Sequence, residues 1–372
     1  LSLTFTIEQT CPITGARAGL LETEHGVIET PAFMPVATKG SVRGLDWRTV
    51  EELGAQIVLA NTYHLHIRPG EDLIERAGGL RSWSQWQGPF LTDSGGFQLF
   101  SFARRGAAKI TDQGVDFKDD LTGSLRHIGP HESMLIQKKL GADIVMAFDE
   151  CPPAEASYEQ VFRAVERTRL WAERCLEINL KDYQNLFLIV QGGRFEDLRE
   201  KSLRQMLDMD MPGYALGGVS VGESRDEIER VIELMTPRLP SHKPRYIMGI
   251  GMPRDLLVGV RAGADMFDCV LPTRLSRHGS FFDQYGRVTS VSRGSFSADI
   301  DNPLVPGCEC ATCKSFSRAY LKHLFLRKEI TVYYYLAVHN MYTLISLTRK
   351  MRQAIIQRRF VEFIQSHPGL SL

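Results

Sequence analysis

Eight short apolar runs separated by helix-like stretches, followed by three cysteines within six residues, predict an α/β protein. The expected architecture is a (β/α)8 TIM barrel with a zinc-binding subdomain near its C-terminus. The runs are residues 31–36, 57–62, 89–94, 143–150, 186–193, 213–220, 245–251 and 265–272. They are continuous rather than alternating, as parallel strands covered on both faces require. Helical patterns fill most intervals, as in DWRTVEELGA, SMLIQKKLGA and DEIERVIELM. Eight such alternations over ~250 residues favour a closed barrel over an open doubly wound sheet.

The interval between the third and fourth runs is longer than the others. Its short alternating pieces and Gly turns predict a β-hairpin insertion near residues 108–130. After residue 275 the rhythm stops, and a Gly- and Ser-rich stretch leads to a helical tail. The expected division is a catalytic barrel over 1–300, a zinc-binding subdomain over 301–345 and a C-terminal helix over 346–372.

No apolar run approaches the ~20 residues that cross a bilayer, so no membrane partner is expected. The first ten residues have no basic flank or signal-like segment. Seven cysteines, an odd number in a long chain, argue against a disulfide framework and for a reducing, cytoplasmic compartment. The 44 Lys and Arg balance the 44 Asp and Glu, but from residue 301 onward ten basic residues face four acidic ones. Such a surface suits a polyanionic partner as well as it suits a solvated helix.

Active sites of such barrels lie at the C-terminal ends of the strands, where this sequence places its polar residues. The third run ends in Asp93, Ser94, Gly95 and Gly96, the fourth in Asp149 and Glu150, and the fifth in Gln191. The sixth ends in Gly217 and Gly218, the seventh holds Gly249 and Gly251, and the eighth carries Asp268. Asp268 sits between Phe267 and Cys269, where a dry, unpaired carboxylate costs several kcal/mol. A salt bridge is the plain reading of such a group. A pair with Asp93 is the functional one, one carboxylate attacking and the other handling protons. Asp149 and Gln191 would offer an acceptor and a donor–acceptor pair to a nitrogenous heterocycle.

Cys308, Cys310 and Cys313 read as ligands of one structural Zn2+, and a redox pair is the weaker alternative. A closed site needs a fourth ligand, for which His323 and His339 are both candidates by spacing. Cys11, Cys175 and Cys269 read as buried small residues, and Cys151 as a residue of the pocket wall.

The segments LTDSGGFQ, GADIVMAFDEC, VQGG, GYALGGVSVGE, YIMGIG, DMFDCVLPTR and CECATC followed by VHN occur in that order. Together they resemble the tRNA-guanine transglycosylases (queuine tRNA-ribosyltransferases) of the bacterial type, over nearly the whole chain. The resemblance implies Asp268 as nucleophile on the ribose and Asp93 as general acid/base. It implies a base pocket of Asp93, Ser94, Gly95, Gly96, Asp149, Gln191, Gly218 and Val219, with Phe97 and Met248 on the two faces of the base. Two segments would meet the anticodon loop: Gly249, Ile250, Gly251, Met252, Pro253, Arg254 and Asp255, then Thr273, Arg274, Leu275, Ser276 and Arg277. The metal ligands implied are Cys308, Cys310, Cys313 and His339. In TRLSRHGS the sequence departs from the family's more usual run.

The resemblance further implies exchange of guanine at wobble position 34 of tRNAs with G-U-N anticodons for a 7-deazaguanine base. The reaction passes through a covalent aspartyl-ribosyl intermediate. Val221 and Cys151 match the members that take preQ1 (7-aminomethyl-7-deazaguanine), and queuine is the alternative base. A homodimer is implied as well, with the basic tail on loop phosphates. A catalytically silent RNA-binding subunit, a nucleosidase on free nucleosides and a purely structural zinc protein are the rival readings. Retention of both Asp93 and Asp268 speaks against the first, and the polar rim against the last.

Overall fold

A computed structural model describes residues 3–104, 106–119 and 122–367. All eight apolar runs are strands of one parallel sheet. In chain order they are Ala32–Met34 with Val36–Ala37, Val58–Ala60, Phe90–Thr92, Ile144–Met146, Asn185–Val190, Gly213–Leu216, Arg245–Ile247 and Met266–Asp268. The first strand is split at Pro35, whose missing N–H interrupts the ladder while its carbonyl still accepts from Leu59 N at 2.9 Å. One half pairs with the eighth strand (Phe33 with Phe267) and the other with the second (Val36 with Leu59), which closes the barrel.

Every second strand residue points into the barrel, where Met34, Leu59, Leu91, Met146, Ile189, Ala215, Tyr246 and Met266 form one cluster. Gly213 opens the sixth strand because an added Cβ there would lie 2.3 Å from the Phe187 ring. The opposite faces pack under the helices, among them Trp47–Glu52, Pro130–Leu140, Glu196–Leu207 and Arg225–Met235, which fall in the expected helical stretches. Asp46 and Ser224 cap two of these helices by accepting main-chain N–H bonds.

A three-stranded antiparallel sheet, Thr4–Thr10, Arg17–Thr23 and Gly26–Thr30, lies at the N-terminal end of the barrel, and sequence patterning missed it. Its Leu21 and Ile28 join the interior cluster and plug that end. Arg17 binds it to the barrel, meeting both oxygens of the fully buried Asp265 at 3.0 and 2.5 Å and the carbonyls of Ser241 and Lys243. The insertion after the third strand is a three-stranded sheet, Ala108–Thr111, Gly114–Lys118 and Leu125–Ile128, one strand more than a hairpin.

Beyond the barrel, a hairpin (Ser280–Phe282 and Val288–Ser290) and two helices (Ala311–Ser315 and Arg318–Leu326) form a second small core around Phe281, Val291 and Leu321. Helix Thr331–Ile356 belongs to both cores, so one rigid element runs across residues 345 and 346. Its buried Asn340 accepts from Phe282 N and donates to the carbonyls of Pro272 and Ser280. The end of this helix shows where two cations of the basic tail lie. Arg352 reaches the carbonyls of Gly19 and Thr30, and Arg349 lies beside Gly54. These tail cations sit at the N-terminal end of the barrel, away from the polar rim, because the helix packs down the outside of the first strand.

Truncating one partner of a buried ion pair strands the other charge. Asp265→Ala is expected to lower unfolding stability by about 3–5 kcal/mol. Urea denaturation of the two proteins checks this.

Candidate active site and metal centre

A cavity of about 520 Å³ opens at the C-terminal end of the strands, and Asp93, Asp149, Gln191, Gly218, Val219, Met248 and Asp268 all line it. Ser94, Gly95 and Phe97 line it as well. Gly96 lies behind them, where an added Cβ would be 3.0 Å from the Asp149 carbonyl oxygen. Phe97 is half exposed at the opening. Glu150, which like Asp149 lies beyond the end of the fourth strand, turns the other way and pairs with Arg167.

Asp93 follows the third strand. Its Oδ1 accepts from Thr62 N at 2.9 Å and Gly95 N at 3.1 Å, and its Oδ2 from Asn61 Nδ2 at 2.5 Å. Burial nevertheless pushes its pKa up to about 7, and the charge of Asp268 adds to the rise. Asp268 closes the eighth strand. Its Oδ1 accepts from Tyr246 Oη at 2.5 Å and Gly249 N at 2.9 Å, and burial raises its pKa against those two bonds. Among the described residues no donor meets Asp268 Oδ2, and no cation pairs with either carboxylate. The salt-bridge reading of Asp268 is therefore set aside. Its first oxygen is fixed, and its second has no hydrogen-bond partner among the described residues.

The base-sized end of the cavity is built on the fourth, fifth and sixth strands. Gln191 donates from Nε2 to Asp149 Oδ2 at 2.6 Å, and Ser94 Oγ donates to Oδ1 at 3.3 Å. Burial holds Asp149 at about 6 despite these bonds. Gln191 Oε1 is buried with no donor among the described residues. Such an orphan acceptor is costly unless a ligand supplies the hydrogen bond. Gly218, at φ +57°, stands beside it, and a Cβ there would be 2.6 Å from Oε1. Only glycine leaves that acceptor open.

Sequence reasoning missed the groups that hold this arrangement: Asn61, Thr62, Tyr246 and Arg199. Arg199 is fully buried and donates to the carbonyls of Val190, Gly193, Gly217 and Gly218, which fixes the two strand ends carrying Gln191 and Gly218. Nothing in the run FEDLREKS marks it. The expected RNA segments fall on either side of the mouth. Gly249, Arg274 and Arg277 are exposed; Arg254 is ion-paired with Glu229; Met252 and Leu275 are partly covered. Ile250, Gly251, Pro253, Asp255, Thr273 and Ser276 are buried, with Gly251 and Asp255 in the cavity wall.

Cys308, Cys310, Cys313 and His339 converge in the second core, with all ligand atoms within 4.8 Å of one another. The three sulfurs lie 3.7, 3.5 and 3.4 Å from His339 Nδ1. A tetrahedral centre with about 2.3 Å metal–sulfur and about 2.0 Å metal–nitrogen bonds has sulfur–nitrogen edges of about 3.5 Å. The cluster can thus hold one metal ion, with no position left for substrate. His339 Nε2 is 2.8 Å from the Phe282 carbonyl and donates to it when Nδ1 faces the metal, which sets ring and tautomer. His323 takes no part.

Two buried carboxyl groups lining one cavity at a barrel rim, with a Cys3His cluster able to hold a metal ion in the second core, fit the class of glycosyl-transferring enzymes. The family model described as "Queuine tRNA-ribosyltransferase" matches residues 11–368, and the chain belongs to that family. Proteins named queuine tRNA-ribosyltransferase from Halothermothrix orenii, Thermosynechococcus vestitus and Enterococcus faecalis are each 48% identical to it. The matches cover 94%, 96% and 95% of this chain and 93%, 94% and 92% of those relatives. The chain is accordingly a pentosyltransferase of the tRNA-guanine transglycosylase class.

Two outcomes follow from the geometry. A carboxyl whose pKa is raised on folding stabilises fully below its unfolded value and loses that contribution as pH climbs through the folded value. For Asp93 the window runs from 3.8 to about 7. Thermal melts of Asp93→Asn should therefore show a smaller loss of stability between pH 5 and pH 8 than the wild type. Exhaustive chelation, or His339→Ala, should release one metal ion per chain and lower the melting temperature, measured by elemental analysis and calorimetry.

Proposed function

We propose that the chain exchanges guanine at wobble position 34 of tRNAs with G-U-N anticodons (those for Asp, Asn, His and Tyr) for preQ1, a step of queuosine biosynthesis. The observation that carries this reading is the pair Asp93 and Asp268 in one cavity, with no cation paired to either among the described residues. The target nucleotide leaves its stack, which costs a few kcal/mol and less in a loop than in a duplex. Asp268 Oδ2 attacks C1′ of the ribose. The bond from C1′ to the purine breaks, its electron pair stays on the base, and Asp93 delivers a proton to the leaving guanine. The ribosyl ester on Asp268 stores the glycosidic bond, so no nucleotide triphosphate is needed. The incoming base gives its proton back to Asp93, attacks C1′ and frees the Asp268 carboxylate.

Two groups serve both bases: the Asp149 acceptor and the open Gln191 oxygen, which meet ring N–H and amino hydrogens. Phe97 and Met248 cover the two faces of the ring. Cys151 and Val221 bound the cavity where a substituent on the 7-position would lie, which favours the small aminomethyl group over queuine's larger one.

The bound metal is Zn2+, which staples the second core and, through Asn340, steadies helix Leu271–Arg277 at the cavity mouth. The two subunits of a homodimer meet through this zinc-bearing region, whose Tyr320, Leu326 and Ile330 are exposed. A reducing cytoplasm keeps the three thiols available as ligands.

Incorporation of labelled guanine into unmodified tRNA with a G-U-N anticodon tests the reading, run with and without tRNA and with preQ1 or queuine as competitor. Wild type should exchange only with tRNA and prefer preQ1. Asp268→Asn should bind tRNA yet exchange nothing, and a covalent complex trapped in that variant would overturn the assignment. Asp93→Ala should slow guanine release by about 10²–10⁴-fold with folding intact.

A further inference from the structure

A fully buried cation stands behind the cavity wall, and no step of the reaction above uses it. Arg199, on helix Glu196–Leu207, has no exposed surface, and among the described residues no carboxylate lies within 4.0 Å of it. Burial lowers its pKa to about 10, which leaves it charged at neutral pH. Stability alone is a weak reason for such a group, since a well-packed apolar side chain often serves a core equally well. Arg199 directs its donors at main-chain carbonyls: Gly193 at 2.8 Å, Val190 at 3.1 Å, Gly217 at 2.7 Å and Gly218 at 2.6 Å.

The last two bonds decide where the other ends of those peptide units point. Both peptide bonds are trans, so each N–H is directed away from its own carbonyl. The N–H groups of Gly218 and Val219 therefore face away from the guanidinium. Successive carbonyls alternate along a strand; Gly218, at φ +57°, breaks the alternation and sends two in succession to Arg199. Gly218 and Val219 line the cavity, and among the described residues neither N–H meets an acceptor. Successive free N–H groups at a turn form an anion-binding concavity. This one stands beside Gln191, whose Oε1 would be 2.6 Å from a Cβ on Gly218. Gln191 and Asp149 take the ring and amino hydrogens of the base, so the oxygen next to that ring N–H falls to the two donors.

We propose that Arg199 is a positioning residue of the transfer: by holding the Gly217 and Gly218 carbonyls, it aims the Gly218 and Val219 N–H groups at O6 of the departing guanine. When the bond from C1′ to the purine breaks, the electron pair stays on the ring and spreads onto O6 until the proton from Asp93 neutralises it. Donors fixed beforehand at that oxygen stabilise the charge without reorganising. The incoming base meets the same pair in reverse. This inference rests on the guanine exchange proposed above and adds to it what bears the charge of the leaving base.

The test is the rate of base release in a single turnover, with no competing base, from unmodified tRNA carrying guanosine or 6-thioguanosine at position 34. Sulfur is the poorer acceptor, and the ring N–H and amino group stay in place. Arg199→Lys keeps a charge but loses the planar fork. It should slow guanine release by about 10²–10³-fold, the cost of losing one such donor, slow 6-thioguanine release much less, and keep the wild-type tRNA affinity. The positioning role thus appears as a fall in the ratio of the two rates, which a general loss of packing does not produce. A ratio equal to that of the wild type overturns the inference. Loss of folding in both Arg199→Lys and Arg199→Gln, read by circular dichroism, overturns it as well, since the residue would then serve the core alone. Failure of the substrate reading looks different: the wild type would then release neither base from tRNA.

Discussion

Asp93 and Asp268 lie in one cavity, and among the described residues no cation pairs with either. Burial first, and then the charge of Asp268, raise the Asp93 pKa to about 7, so this carboxyl can take up and give away a proton near neutral pH. The fold creates this condition by geometry. Asp93 and Asp268 end the third and eighth strands of a closed barrel, so strand order brings them to one rim despite their separation in sequence. Donors then divide the labour. Asp268 has one oxygen held by Tyr246 and Gly249 N, and Asp93 has both oxygens engaged by Asn61, Thr62 and Gly95. In the proposed reaction the first is the group that attacks and the second the group that carries the proton.

The rest of the molecule serves to keep that cavity dry and rigid. The N-terminal sheet seals one end of the barrel, and Arg17 with Asp265 locks it there. Arg199 directs its donors at four main-chain carbonyls, so the wall bearing Gln191 and Gly218 is held without any side-chain counterion. Gln191 in turn leaves one acceptor unmet among the described residues, where a hydrogen-bonding ligand can offset the cost. The Cys3His cluster lies apart from the chemistry. Its influence travels through helix Thr331–Ile356, where His339 and Asn340 are adjacent and Asn340 holds the start of the rim helix.

The barrel was legible because parallel strands buried on both faces write continuous apolar runs, and all eight were found that way. The polar ends of those runs named Asp93, Asp149, Gln191 and Asp268, which line the cavity. What escaped has physical reasons. The sheet over residues 4–30 alternates exposed and half-buried positions along its first strand, so it lacks the continuous signal. Glu150 follows Asp149 along the chain, but past the end of the fourth strand the two side chains part and Glu150 meets Arg167. Tyr246, Asn61 and Arg199 acquire their roles only from what they touch across the fold. Charge counting found the basic tail without revealing which way it points.

The central claim is that Asp268, rather than Asp93, becomes the temporary partner of the ribose. Wild-type protein mixed with unmodified tRNA and no competing base, quenched by acid, digested with protease and nuclease and read by mass spectrometry, addresses it directly. The account predicts a ribonucleotide adduct on the peptide containing Asp268. An adduct on the peptide containing Asp93, or base exchange that proceeds with no adduct on either, would contradict it.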